Sequence, residues 1–487
     1  MRCLCREMPG SPEKNGDFVM KNWNVVEVPV PNMFEDMFPH VMPPHVVFDS
    51  PITETVCGKT YTIDPTKTKD RDIYITDTTF RDGQQSRPPY TVEEILKLFE
   101  LIHKLGGPNG VIRQTEFFLY SANDRKAVEK CLEKGYKFPE ITGWIRAEVD
   151  DLHLPAKLGL KESGMLTSCS DYHIFHKLRL DRRRAFEKYT TLAKAAIEQG
   201  VRPRCHLEDI TRADIEGFVI PYVQELMRIS EQVDDSLKVK IRLCDTMGFG
   251  VPYPGAALPR SVPKLVLAMI HECGVPSDRL EWHGHNDFHK VLINGTTAWL
   301  YGCNALNGTL LGIGERTGNP PLEGAIIEYI GIKRDMCGID TTVITDIAKY
   351  YHSIGTHIPI RAPFVGEDFT KTKAGIHADG LLREEKIYNI FDTGKLLKRP
   401  PTVEITDKSG SDGVTLWVNN FLGLSRENRL KKTKLVKIMR WVTDQYDIEN
   451  RTTSISDKEM IELVKKFLPE EYEQAKKEGR LAEIATE

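Results

Sequence analysis

Two histidines one residue apart, in the run Trp282, His283, Gly284, His285, Asn286, Asp287, are the sharpest chemical signal in this sequence. They end a short β-rich run, and along a strand residues i and i+2 share a face, so both imidazoles point the same way as Glu281. Two imidazoles on one face can reach one ion; the alternative is a structural pair satisfied by nearby carboxylates, and a third ligand decides between them. Asp82 offers that ligand at the end of the run 76–85. Two nitrogens and a carboxylate leave positions open on a divalent metal, Mn²⁺ first, with Co²⁺, Zn²⁺ or Mg²⁺ as alternatives. A 2-oxo acid can chelate at open positions through its ketone and carboxylate oxygens. Arg81 beside the ion can donate to the ketone oxygen as it becomes an alkoxide, although an isolated Arg-Asp pair would read as a surface salt bridge.

A second line of polar residues lies in the run 202–208, where Arg202, Arg204, His206 and Glu208 alternate with Pro203, Cys205 and Leu207. A parallel strand buries both faces, so four polar residues on one of them line a site rather than fill a core. Arg204 can hold a substrate carboxylate bidentately, His206 joins the substrate-binding set, and Glu208 can orient a base or water. Thr246 shares a face with Cys244 and Arg242, and its hydroxyl can meet the same carboxylate. Gln85 and Glu116, near the ends of the first two β-rich runs, complete that set. The glycine-rich run 312–319 precedes a helical pattern and reads either as an anion cradle or as a tight turn that needs small residues.

These groups need a scaffold that brings strand ends together. Eight β-rich runs, at 73–77, 111–117, 140–146, 164–169, 202–208, 239–245, 279–285 and 303–308, alternate with helical stretches. One of those stretches opens on Thr91 with Glu94 three residues on, the spacing of a capping box. Eight alternations in this length predict an α/β chain with a closed (β/α)8 barrel, whose active sites sit at the C-terminal mouth of the strands. The expected organisation is an irregular, proline-rich N-terminal arm over 1–70 with a short hairpin around 56–63. A catalytic barrel follows over 71–338, then a linker and subdomain over 339–413 and a charged helical tail over 414–487.

Composition narrows the function. The 487 residues carry a formal charge of −4, which argues against nucleic acid as a partner, and no apolar run is long enough for a membrane span. Residues 1–10 lack the apolar segment of a secretory signal, and ten irregularly spaced cysteines read as reduced thiols, which together point to the cytoplasm. Cys3 and Cys5 read as an incidental pair, not a metal site.

Taken in order, the runs 77–86, 207–209, 245–248, 283–287 and 312–319 resemble the metallolyase-type barrel family of 2-isopropylmalate, homocitrate, citramalate and Re-citrate synthases and 3-hydroxy-3-methylglutaryl-CoA lyase. The resemblance spans roughly 71–415. It implies that Asp82, His283 and His285 bind the metal, that Arg81 polarises the oxo acid, and that Arg204 and Thr246 hold its carboxylate. The run 373–380 resembles the family's segment that reaches over a partner subunit's barrel, which implies a homodimer or higher homo-oligomer with His377 near acetyl-CoA. The chain departs from the pattern at Thr372, His206 and Ile313, so the catalytic base stays open among His377, Glu208 and Tyr388. The run 165–169 lacks the lysine that biotin-dependent carboxyltransferases require, and the chain lacks the cysteine motif of the lyases, which leaves a synthase.

The oxo acid is read from charge. An isopropyl substrate wants an apolar pocket, whereas a second carboxylate wants a cation, and Arg87 and Arg146 add cations near the mouth. Arg146 has Glu148 and Asp150 as alternative partners. The expected reaction is condensation of acetyl-CoA with a 2-oxo dicarboxylic acid. Oxaloacetate comes first, as in Re-citrate synthases, with 2-oxoglutarate second and a leucine-pathway substrate third; an inactive binding barrel is the remote alternative.

Overall fold

A computed structural model of the chain describes residues 29–482; Cys3, Cys5 and the first ten residues lie outside the described residues. Packing separates residues 1–34 from residues 35–487. In the first unit residues 29–34 are irregular, with the Asn32 side chain accepting from the Phe34 backbone N–H at 3.2 Å. The second unit opens with an antiparallel hairpin, β1 (Ile52–Val56) and β2 (Lys59–Ile63), which starts before the expected 56–63. Tyr61 of β2 stacks on His271 at 4.0 Å, and its hydroxyl donates to Glu272.

Eight parallel strands follow and close into a barrel: β3 (Tyr74–Asp77), β4 (Ile112–Phe118), β5 (Glu140–Ile145), β6 (Glu162–Ser168), β7 (Arg202–Glu208), β8 (Lys240–Asp245), β9 (Leu280–Gly284) and β10 (Ala305–Gly308). β10 pairs back onto β3, so the (β/α)8 class expected from the sequence is the one observed. β6 begins two residues earlier than its pattern predicts. Glu162 and Ser163 look like loop residues, but Glu162 points into the barrel and pairs with Arg204 and Lys240 on the next two strands.

The strands carry their apolar residues outward. Ile75, Leu207, Ile241, Leu243, Leu280, Trp282 and Leu306 are fully buried against the surrounding helices, each worth roughly 1.5–3 kcal/mol over an exposed position. The first of those helices, Val92–Gly106, is set by the Thr91/Glu94 capping box, with both reciprocal hydrogen bonds present at 3.1 and 2.7 Å, and buries Leu98, Phe99, Ile102 and Leu105. The connected network of charge therefore lies inside the barrel, while apolar contact dominates its outer belt.

Beyond the barrel the packing departs from the expected divisions. The helix Val343–Ser353 buries Val343, Ile344, Ile347 and Tyr351 in the same apolar cluster as the first strands, so the expected linker is part of the barrel's outer belt. The expected boundary at 413 falls inside the helix Gly410–Phe421. That helix, Gly375–Arg383 and the last three helices share one apolar cluster around Leu381, Trp417, Val418, Ile438, Met460 and Val464. The residues read as a charged tail thus bury one stripe and expose the other, as an amphipathic helix must. Among the described residues no helix is long and apolar enough to cross a membrane.

Candidate active site

At the C-terminal end of β9 and the turn after β3, Asp82, His283 and His285 come together. His283 Nε2 lies 3.2 Å and His285 Nε2 3.9 Å from Asp82 Oδ2, all three residues are buried, and their ligand atoms fall within 4.8 Å of one another. Asn307 on β10 fixes the first ring. Its amide donates to Thr76 Oγ1 at 2.9 Å, which turns its carbonyl oxygen to His283 Nδ1 at 2.7 Å. An amide oxygen can only accept, so Nδ1 donates to it, and Nε2 faces Asp82. Asn319 donates to Asp82 Oδ2 at 3.1 Å and to the Gly284 carbonyl at 3.0 Å. Burial alone would raise the Asp82 pKa, but the Arg81 guanidinium, with His283 next, outweighs it and holds the carboxyl far below the usual range. Burial pushes His285 down to about 4, so its ring is neutral at physiological pH. An ionised carboxylate and a neutral imidazole are the forms in which these groups ligate, and the triad fits a divalent cation with open positions.

Beneath the triad lies a charged network on the inward faces. Glu116 of β4 receives Arg81 at 3.0 Å, Arg204 at 2.6 Å and Arg242 at 2.9 Å. Arg242 also reaches Glu281 at 2.7 Å, while Arg204 reaches Glu162 at 2.9 Å and Lys240 reaches it at 2.8 Å. Burial works against the ionised form of Glu116, yet Arg242, Arg81 and Arg204 together hold it well below the usual carboxylate range. The network sets Arg81, Arg204, Lys240 and Arg242, with Arg202 at its edge 3.9 Å from Glu162, against Asp82, Glu116, Glu162 and Glu281.

The other candidates distribute unevenly. Arg81 contacts both Asp82 and Glu116 and so joins triad to network. Arg204, expected at a substrate carboxylate, is fully buried with its guanidinium on Glu116, Glu162, Gln114 and Thr142. His206 is fully buried one inward position nearer the mouth. Glu208 at the mouth receives the Ser168 hydroxyl and Lys177 at 2.9 Å, and lies 3.0 Å from His173. Despite burial those groups push its pKa down to about 2, which makes it a weak general base. The Thr246 hydroxyl accepts from the Asp209 backbone N–H at 2.8 Å, and Gln85 is exposed in the turn after Asp82. Arg146 is not brought to the cluster. Its guanidinium forks onto Asp151 at 2.8 and 2.9 Å, a partner other than the expected Glu148 or Asp150, and stays 63% exposed. His377 and Tyr388 are exposed and lie against each other in the C-terminal helical region, ring centres 4.2 Å apart and planes tilted by 39°. Among the described residues no hydrogen bond, ion pair or ring contact joins either to the triad of the same chain.

Sequence reasoning missed Asn307, Asn319 and His173. Asn307 had a signal, since it is a polar residue on a buried barrel strand, and Asn319 closed a glycine-rich run already singled out. His173 lies on a short π-helix, Tyr172–Lys177, too short for periodicity to mark a face. Of the two readings of 312–319, the structure shows the tight turn. Gly318, at φ 94, passes so close to the Gly312 carbonyl that a Cβ would sit 2.0 Å from it, and its own carbonyl accepts from the Asn286 N–H.

A family model described as HMGL-like matches residues 72–350, and the chain belongs to that family. It is 54% identical over 447 residues to the Citrate (Re)-synthase of Syntrophus aciditrophicus (strain SB), covering 91% of this chain and 69% of that protein. It is 49% identical over 446 residues to the Citrate (Re)-synthase of Clostridium kluyveri, covering 91% of this chain and 95% of that protein. A 2-phosphinomethylmalate synthase of Streptomyces hygroscopicus is 34% identical over 405 residues, 82% of this chain and 91% of that protein.

Proposed function

We propose that this protein is an acyltransferase that condenses the acetyl group of acetyl-CoA with oxaloacetate and water to give citrate and CoA, with the stereochemical course named for its two relatives. The observation that carries this reading is that likeness, over nine-tenths of the chain, joined to an intact Asp82–His283–His285 triad. A divalent ion held there, Mn²⁺ first, supplies a Lewis acid for the ketone oxygen. Arg81 donates to the same oxygen as the new carbon–carbon bond turns it into an alkoxide, and its guanidinium is already held in place by Glu116. The acetyl methyl must lose a proton to a base, and Glu208 is too acidic for that role. His377, with Tyr388 against its ring, takes it when supplied from a second copy of the chain, so the active form is a homodimer. Charge supports a dicarboxylic substrate. The cations of the network at least match its carboxylates, an ion in the triad would add two positive charges, and a dianion balances more of that charge than a monoanion does. The described cysteines are free thiols, which supports a reducing compartment, the cytoplasm.

The test is a thiol-release assay with acetyl-CoA against oxaloacetate, 2-oxoglutarate, pyruvate and 2-oxoisovalerate. Oxaloacetate should be fastest, and 2-oxoisovalerate slower by about 10³-fold or more, because it leaves a cationic site unmatched. If 2-oxoisovalerate is the best substrate, the leucine-pathway reading replaces this one. Labelled oxaloacetate reports the face attacked.

A further inference from the structure

We infer that a cavity of about 790 Å³ in the C-terminal helical region is a binding site for an uncharged, largely aromatic small molecule. It opens between the helix Gly410–Phe421, which supplies Leu416, Trp417 and Phe421, and the strand residues Thr402 and Val403. None of its lining residues belongs to the triad or to the charged network of the barrel. Close-packed interiors hold few voids larger than a water molecule, whereas ligand sites run to several hundred Å³, so a space of this size is not a packing defect. The Trp417 and Phe421 rings, stacked with centres 5.2 Å apart, give it a flat apolar wall.

The charges around the cavity set the class of ligand, because each already has a partner in the protein. Lys371 lies 3.4 Å from Asp368, Glu404 lies 3.0 Å from Lys373, Glu385 accepts from the Asn389 amide at 2.7 Å, and Asp457 accepts from the Trp417 indole at 2.7 Å. Arg429 donates to the Leu382 carbonyl at 2.5 Å. A charged ligand would be buried without a counter-ion unless it broke one of these contacts, a cost that an uncharged one does not meet. Another wall is Leu381, on the helix Gly375–Arg383 one turn beyond His377. Its neighbour Gly380 packs so closely on Tyr388 that a Cβ would lie 2.4 Å from the ring, and Tyr388 rests against His377. A ligand pressing on Leu381 is therefore felt at that pair, and the effect on turnover expected below rests on the role proposed above for His377.

The experiment titrates the full chain with two fluorescent dyes, neutral N-phenylnaphthylamine and anilinonaphthalene sulfonate, which shares its ring system but carries an anion. The neutral dye should saturate at one molecule per chain, with the sulfonate at least about tenfold weaker. Asn420→Trp, at the exposed rim, sets an indole into the cavity and should abolish that binding in a chain whose circular dichroism is unchanged; Thr402→Trp, also exposed, serves if the first variant does not fold. No saturable binding, a sulfonate that binds as tightly, or a folded variant that binds the neutral dye like wild type each overturns the site. Saturating neutral dye should also change kcat/KM for acetyl-CoA at least about fivefold in wild type and leave Asn420→Trp unaffected. Binding without that change overturns the link to His377 alone. A wild type that turns over no oxaloacetate overturns the proposed reaction, and the dye titration still decides the site.

Discussion

Inside the barrel, the side chains that meet across the axis are Arg81, Arg204, Lys240 and Arg242 against Glu116, Glu162 and Glu281; in the C-terminal helices they are Leu381, Trp417, Val418, Ile438, Met460 and Val464. The two interiors fail differently. Removing one partner of a buried ion pair strands a charge and costs about 3–5 kcal/mol, while truncating a core methionine leaves a cavity and costs about 2–5 kcal/mol. The costs are similar, but a charged interior buys little stability over an apolar one of the same volume. Its retention inside the barrel marks the region where the molecule handles charge, and the apolar C-terminal core marks a scaffold.

The largest effect should come from breaking the charged side of this contrast. His283→Ala removes a ligand while sparing both apolar belts, so the circular dichroism spectrum should persist. Bound Mn²⁺ should be lost and turnover should fall by about 10³-fold or more. Chelation of wild type should do the same, with recovery on adding Mn²⁺, and full activity in metal-free enzyme would sink the triad's role.

A smaller effect tests whether the C-terminal scaffold also delivers a group to the site. Inactive Arg81→Ala and inactive His377→Ala chains, mixed under conditions of subunit exchange, should regain roughly a quarter of wild-type activity. Half of the dimers are then mixed, and each of those has one intact site. Demonstrated exchange without recovery would place His377 outside a shared site.

The smallest effect is expected at Arg146. The residue is mostly exposed and its fork is already engaged by Asp151, so Arg146→Leu should change kcat/KM for oxaloacetate by no more than about threefold. A drop beyond tenfold would show that the guanidinium leaves Asp151 for the substrate, and would return Arg146 to the substrate-binding residues.

What the sequence determined by itself was local. His283 and His285 share a face because a strand has a period of two, Thr91 and Glu94 cap a helix because they are three residues apart, and eight alternations of pattern call for a closed barrel. What only the tertiary structure decided was which partner each charge takes. Arg204 could be read as a substrate clamp because nothing in the run 202–208 reveals Glu116, 88 residues away, and Arg242 meets Glu281 only because β8 and β9 pair in one register. The same limit misplaced the boundary at 413. The amphipathic pattern of a free helical tail is that of a helix packed on a neighbour, and the difference lies in whether Met460 and Val464 find Trp417 and Val418 across the fold. Periodicity is carried along the chain, whereas pairing depends on closure of the barrel and docking of helices, which bring distant residues within a few ångströms.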